Sequence, residues 1–349
     1  MHKFDYSFLK NMMVPANFLN LTNTIYSLRS EEDVIKKTYP DIFTGLQKIA
    51  IVQSVKGSNA IEGIVATDKR IEEIVNQNAN PLNHNEKEIL GYKDALNIVH
   101  TQYTELSLEE KTILNLHQTL LGHSEYPNRG LYKKQDNVIR ERYADGTSFV
   151  RWMPTSAKDT KFAMEQLILA YMDARCDSSI NELLLIPCVI LDFLCIHPFD
   201  DGNGRMSRLL SLLLLYKNNF DVSKYISFEE QINKTRSYYY EALKRSSEGW
   251  HENKNDYLPF MENFLTTLYF CYYELDKRFL TIKSGKVSKT KRIEEVVLNS
   301  FIPVSKRDIV ALLPDVSITT IEKVLSTMLK EEKIKKIGST NNCKYHRNK

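Results

Sequence analysis

The chain has 349 residues, 42% hydrophobic and 26% charged, with 47 Lys+Arg against 44 Asp+Glu, a balance that excludes disordered, collagenous and strongly nucleic-acid-like classes for the chain as a whole. Its five cysteines, Cys176, Cys188, Cys195, Cys271 and Cys343, are scattered and odd in number, so neither a disulfide framework nor a C-x-x-C zinc site is indicated and a reducing compartment is expected. No stretch reaches the roughly 18 apolar residues that cross a bilayer, and the opening "MHKFDYSFLKNMMVPANFLN" lacks a basic flank followed by a continuous apolar run, so a cytoplasmic chain without membrane contact is expected.

Apolar residues recur at helical spacing through most of the chain, as in "HNEKEILGYKDALNIVHTQY" and "LSLEEKTILNLHQTLLGH", so the body is expected to be all-α. "NVIRERYADGTSFVRWMP", Asn137 to Pro154, interrupts this pattern with β-branched and aromatic residues on both sides of an Asp145-Gly146 pair, which is a hairpin signal. A lone hairpin among helices is either a surface ribbon on a long connection or an open edge for an extended segment of another chain. The apolar run "LLLIPCVILDFLCI" then leads into "HPFDDGNGRMSR", His197 to Arg208, followed by the helical "LLSLLLLY".

Further on, "LTIKSGKVSKTKR", near Thr281 to Arg292, reads as a polar, basic linker. Beyond it, "KRIEEVVLNS", "SKRDIVALLP" and "SITTIEKVLSTMLKEEKI" are helix-sized, and "IKKIGSTNNCKYHR" offers two short strands around a polar turn. Helix, helix, helix, hairpin is the order of a winged helix-turn-helix, whose third helix would begin near Ser317. Thr281 to Lys349 carries 15 Lys+Arg against 7 Asp+Glu, a net +8, and the preceding residues carry −5. DNA is therefore a candidate partner for this basic tail alone, although only Lys323 and Lys330 are long basic side chains on the third helix, and protein contact is equally open.

The charged stretch itself has a chemical reading. Gly202-Asn203-Gly204 permits positive φ and, with the free N–H groups of the helix that follows, forms a cradle for an anion. Arg205 and Arg208, three apart, are expected to project from one helix face where guanidinium forks grip phosphate oxygens. Asp201 suits a Mg²⁺ shared with phosphates, and His197 offers a neutral imidazole to take a proton. A calcium loop is excluded by register: from Asp200 the third position is Gly202, and from Asp201 the fifth is Arg205.

"HPFDDGNGRMSR" resembles throughout the signature of the Fic family, H-P-F-x-[D/E]-G-N-G-R-x-x-R, and the resemblance extends to "LHQTLLGHSEYPNRGLYKK" and "YYYEAL", roughly Tyr39 to Phe264. It departs at Lys133, where the family often has Arg after Gly-x-Tyr. The resemblance implies a Fic-type helical bundle with a β-hairpin flap, and transfer of AMP from ATP to a Ser, Thr or Tyr hydroxyl of a target protein. His197 would be the general base, Asp201 the Mg²⁺ ligand, Gly202, Asn203, Gly204 and Arg205 the phosphate cradle, Arg208 the γ-phosphate clamp and Phe199 the anchor of the loop. Retention of Gly204 favours nucleotidyl transfer over phosphorylation. Phe149, Val150, Arg151 and Trp152 would form the flap arm that aligns the target, and Tyr239 with Tyr240 the wall beside adenine, aromatic core packing being the plainer reading of that pair. Ser247 stands where some relatives have an Asn.

Upstream, "SNAIEG", Ser58 to Gly63, fits the family's inhibitory pattern [S/T]-x-x-x-E-[G/N], which implies that Glu62 pairs with Arg208 and displaces the γ-phosphate. The resulting expectation has three parts: an N-terminal helical region over 1–105 with the brake, a catalytic core over 106–280 and a winged helix-turn-helix over 281–349. Two competing functions stand beside an auto-inhibited adenylyltransferase, namely removal of AMP from a modified protein, and a DNA-binding regulator with a nucleotide-sensing Fic fold. ATP, a target protein and a homodimeric second copy are the other expected partners.

Overall fold

A short 3-10 turn at Ser7–Lys10 precedes α1 (Ala16–Thr38), α2 (Pro40–Ile61), α3 (Asp68–Gln77), α4 (His84–Gln102) and α5 (Glu110–Leu120). The hairpin follows as β1 (Ile139–Arg142) and β2 (Ser148–Trp152), and then α6 (Ala157–Arg175), α7 (Glu182–Ile196), α8 (Asn203–Lys217), α9 (Phe228–Lys234), α10 (Arg236–Ser247) and α11 (Leu258–Lys283) complete the body. The C-terminal unit consists of α12 (Lys289–Leu298), β3 (Val304–Ser305), α13 (Lys306–Leu312), α14 (Ile318–Lys330), β4 (Ile334–Ile337) and β5 (Lys344–Arg347). This computed structural model describes residues 2–142, 148–283, 288–298, 303–313, 315–338 and 343–348. The Asp145-Gly146 turn lies outside the described residues.

The body is helical as the spacing predicts, and α7 and α8 form its centre. In α7 every residue from Leu185 to Ile196 is buried, and in α8 Arg205 to Tyr216 are buried too. Helices apolar on all sides need neighbours on all sides. They pack on each other, with α6 and α11 against α7 and α4 against α8, while α2 lies against α4 and α9. The N-terminal segment is tied to α7 through Asp192, a buried carboxylate that accepts from Tyr6 Oη at 2.8 Å, Trp250 Nε1 at 2.7 Å and Tyr257 Oη at 3.0 Å.

Strands β1 and β2 pair antiparallel with Ile139 opposite Trp152 and Arg142 opposite Ser148, which bears out the two hairpin arms. In the C-terminal unit the antiparallel strand order is β3-β5-β4. The two-residue β3 was not expected from the sequence, since Val304-Ser305 is too short to show an alternation. Within the expected linker near Thr281 to Arg292, α11 continues to Lys283, across the expected boundary at 281, and α12 begins at Lys289, while residues 284–287 lie outside the described residues. The C-terminal unit packs back on the body through α13 against α2, with an ion pair between Lys344 on β5 and Glu72 on α3.

Candidate active site

The site grows from the junction of α7 and α8. α7 starts at Asn181, whose side chain accepts from Leu183 N at 2.9 Å, and it stops where His197 takes a left-handed φ of 51°. Gly202, with φ of 80°, then turns the chain into α8, whose first internal bond runs from Met206 N to Gly202 O at 2.8 Å. That leaves the N–H groups of Asn203, Gly204 and Arg205 without intrahelical acceptors, at the positive end of the α8 dipole. These are the donors that the anion-cradle expectation for Gly-Asn-Gly requires.

Four residues tie the intervening loop down. Asn203 spans it with Phe199 N donating to Asn203 Oδ1 at 2.9 Å and Asn203 Nδ2 donating to Phe199 O at 2.7 Å. Asn137 Nδ2 also donates to Phe199 O, at 3.2 Å. His117 stacks on the fully buried Phe199 ring with centroids 3.7 Å apart. Because Gly130 N donates to His117 Nδ1 at 2.9 Å, His117 carries its proton on Nε2 and donates it to Asp201 O at 3.1 Å. Burial holds this imidazole neutral, with a pKa lowered to about 4. The fourth is Lys133, which donates through its main-chain N to Pro198 O at 2.9 Å and through Nζ to His197 O at 3.0 Å and Ile196 O at 3.3 Å.

A cavity of about 190 Å³ opens beside the loop, lined by Glu62, Ile139, Arg151, Trp152, Leu194, Cys195, His197, Gly204, Arg208, Tyr239, Tyr240, Leu243 and Ser247. His197 is neutral within it: burial and then the charge of Lys133 lower its pKa to about 4, against the Leu194 main chain, Glu62 and Asp201. Arg208 is buried with Nε donating to Ser58 Oγ at 2.8 Å, and Nη2 donating to Ser58 O at 3.0 Å and to Glu62 Oε1 at 2.8 Å. Burial works against its charge, but Glu62, with the phenols of Tyr92 and Tyr239, outweighs it and holds its pKa above the ordinary value. Glu62 caps α2, and its carboxylate lies against the bare main chain of Gly204. Thus two residues 146 positions apart meet over the cradle.

The flap is pinned from two sides. Trp152 Nε1 donates to Cys195 O at 3.0 Å, and Arg151 Nη2 donates to Tyr240 O at 2.9 Å. Arg151 and Trp152 line the cavity while Val150 is exposed and Phe149 half-buried. Tyr239 and Tyr240 contact each other edge-on at 5.4 Å, and Tyr239 is buried. Asp201, Gly202, Asn203 and Ser58 support the site from outside the cavity lining. Arg205 and Arg208, three apart on α8, do not direct their guanidinium groups to a common partner. Arg205 is buried in an ion pair with Glu88 of α4, with Asp201 Oδ2 at 3.4 Å from its Nη2, while Arg208 turns to α2.

Leu243 and His117 are site positions that the sequence reading does not single out, and for Lys133 it notes only the departure from the family pattern. Leu243 follows Tyr239 by one helical turn, a spacing that could have identified it. Lys133 and His117 act on main-chain carbonyls, which leave no mark on the sequence. As for a metal, no group of three or more His, Cys, Asp or Glu among the described residues is set to hold one. Asp201 presents a half-exposed carboxylate next to the cradle, and Glu62 a second, less exposed one against Gly204 that Arg208 already holds. A lone unengaged carboxylate of this kind fits Mg²⁺, which keeps waters and takes phosphate oxygens, better than a resident zinc or calcium.

Fold and site together define a helical domain with a histidine, a helix N-terminus and an arginine around one cavity. Residues 107–215 match the family model described as Fic/DOC family. The protein adenylyltransferase Fic of Nematostella vectensis is 29% identical over 209 residues, covering 58% of this chain and 44% of that protein. The protein of the same name from Drosophila virilis is 29% identical over 167 residues, covering 48% of this chain and 30% of its own. The chain thus spans less than half the length of these curated relatives. A Fic family protein from Desulfovibrio desulfuricans G20 shares the fold with a TM-score of 0.65 at 18% identity, over 97% of both chains. No described helix is long and apolar enough to cross a membrane.

Proposed function

We propose that this chain is a protein adenylyltransferase, transferring AMP from ATP to a Ser, Thr or Tyr hydroxyl of a target protein, and that Glu62 restrains it. The observation that carries the reading is the 2.8 Å contact of Glu62 with Arg208 inside the cavity that also holds His197. His197, neutral at pH 7, takes the proton of the target hydroxyl as that oxygen attacks the α-phosphorus. The bond to the β-phosphate oxygen breaks and pyrophosphate leaves. The free N–H groups of α8 and Arg208 take the charge of the phosphate chain, so the chain's contribution is positioning and electrostatics. Mg²⁺, when bound through Asp201, would supply further neutralisation of phosphate charge. With Arg208 held by Glu62, the γ-phosphate lacks its clamp and ATP binds in a displaced pose. The β1–β2 edge, pinned through Trp152 and Arg151, is assigned to strand pairing with the target segment. The unpaired cysteines support a reducing compartment such as the cytoplasm.

The test compares wild type, Glu62→Gly and His197→Ala incubated with labelled ATP, magnesium and a cell extract. Label on protein is expected only, or mainly, with Glu62→Gly, and mass spectrometry identifies group and target. Equal labelling by all three overturns both assignments. Release of AMP from a pre-modified target by wild type would instead support the removal reaction.

A second reading concerns the C-terminal unit. Thr319, Lys323, Ser326, Thr327 and Lys330 form an exposed polar face of α14, next to exposed Lys335 and Lys336 on β4. Together with the net +8 this supports a winged-helix unit that contacts DNA. Salt-sensitive duplex binding that survives His197→Ala and falls on removal of Lys335 and Lys336 is the expected result. A homodimer is tested by sedimentation of the same chain.

A further inference from the structure

The ammonium of Lys133 has an unusual place. Its residue is 3% exposed, and its three N–H donors meet three acceptors: Asn137 Oδ1 at 2.9 Å, His197 O at 3.0 Å and Ile196 O at 3.3 Å. Two of these acceptors are carbonyls at the C-terminal end of α7, which the helix leaves without partners and where its dipole is negative. The third, Asn137, in turn holds Phe199 O, and Lys133 N holds Pro198 O. One side chain and its own main chain therefore fix three successive peptide units around His197, the residue that leaves the helix with a left-handed φ.

We propose that Lys133 is a positioning residue for the transfer reaction, its protonated amine holding the His197 main chain in place, so that loss of that proton sets the alkaline limit of activity. This rests on the adenylyl-transfer reading above. A compact ammonium matches the three-acceptor site with one N–H for each acceptor. A lysine here carries a titratable charge where an arginine would carry a permanent one. Burial lowers the Lys133 pKa to about 8, with Asp136 from its own segment and Asp200 from the loop acting in the opposite direction. His197, the other titratable group facing it, is already neutral over that range. The Lys133 charge also lowers the His197 pKa, second only to burial.

The test uses the full chain with Glu62→Gly as parent and measures AMP transfer between about pH 6 and 10, together with the NMR titration of the His197 imidazole. In the parent the rate is expected to decline above pH of about 8. Lys133→Met is expected to lower kcat roughly ten- to a hundredfold with KM for ATP within about twofold, the cost of a misplaced base rather than lost binding. Its His197 titration should move upward. Lys133→Arg should recover part of the rate and lose the alkaline decline. An alkaline decline unchanged in Lys133→Arg, or a folded Lys133→Met with parental kcat, overturns the inference. Should Lys133→Met fail to fold, the Lys133→Arg profile decides. Should the parent transfer no AMP, the functional reading fails, and an unshifted His197 titration in Lys133→Met then overturns the positioning role by itself.

Discussion

Between α7 and α8 the carbonyls of Ile196, His197, Pro198, Phe199 and Asp201 each accept from Lys133, Asn137, Asn203 or His117, and the groups that make these bonds are mostly buried. Across α14 the situation is reversed: Thr319, Lys323, Ser326 and Lys330 face solvent, and the nearby Lys306–Glu322 pair is exposed. A saturated, desolvated network loses much when one member is removed, because the remaining partners stay buried without bonds. An exposed face loses little, because water replaces each contact. The contrast predicts where single substitutions matter in this chain, and the two kinds of ion pair test it most directly.

The largest effect is expected at Glu88, whose side chain and that of Arg205 are 5% and 2% exposed. Glu88→Ala leaves the Arg205 guanidinium buried and with only the distant edge of Asp201, so a loss of about 3–5 kcal/mol is expected in denaturant unfolding. A loss below about 1 kcal/mol would mean that water reaches Arg205 and that the loop is not the closed network described. Next comes His197→Ala in the Glu62→Gly chain. Its transfer rate is expected to fall by at least about a hundredfold with an unchanged melting temperature, the usual contribution of a general base. A retained rate would move the base elsewhere.

How much of this was legible follows from the kind of contact involved. His197, Gly204 and Arg208 are readable because their roles lie in local order along one helix start, where side chain, backbone freedom and helix dipole act within twelve residues. Glu62 was readable only through resemblance, since no local rule brings the end of α2 to α8. The spacing of Arg205 and Arg208 did not disclose their separate partners: Glu88 on α4 holds one guanidinium, and Ser58 of α2 with its cap Glu62 holds the other. The helical body follows from spacing, but the ends of α11 at Lys283 and α12 at Lys289 do not, because charge alone does not separate a helix end from a coil. Lys133 and His117 work on carbonyls, and a sequence does not record which carbonyls lack donors.

A third prediction concerns pH. His100 is buried beside Tyr216 Oη at 3.3 Å, and burial followed by the charge of Lys224 lowers its pKa to about 3. Its unfolded value is near 6.5, so the unfolded state binds the proton first, and the stability from neutral His100 is present above about pH 6.5 and is lost as pH falls toward 3. The loss amounts to at most roughly 1.4 kcal/mol per pH unit. Asp192 acts in the opposite sense: burial raises its pKa to about 7, so its contribution is present at low pH and lost as pH rises through 7. Comparing unfolding of the parent and His100→Gln at pH 6.5 and 5 isolates the histidine. The variant should lose less on acidification, and parallel losses would remove His100 from the acid limb.

The smallest effect is expected where the C-terminal unit meets the body, at Lys344 and Glu72, whose side chains are 27% and 12% exposed. This pair lies at the rim of the contact that α13 makes on α2, the helix that carries Ser58 and ends at Glu62. A partly solvated pair of this kind contributes about 0.2–1 kcal/mol. Lys344→Ala should therefore shift the midpoint of unfolding slightly, and Lys344→Glu somewhat more, with Glu72→Lys in the same chain restoring most of the difference. Labelling from ATP should stay at the low wild-type level throughout, because Ser58 and Arg208 remain buried together. If Lys344→Glu instead raised labelling toward that of Glu62→Gly, and the double reversal suppressed it again, the rim would be coupled to the cavity. The distinction between a buried, hydrogen-bonded loop and an energetically remote C-terminal unit would then fail at α2, a helix that both regions contact.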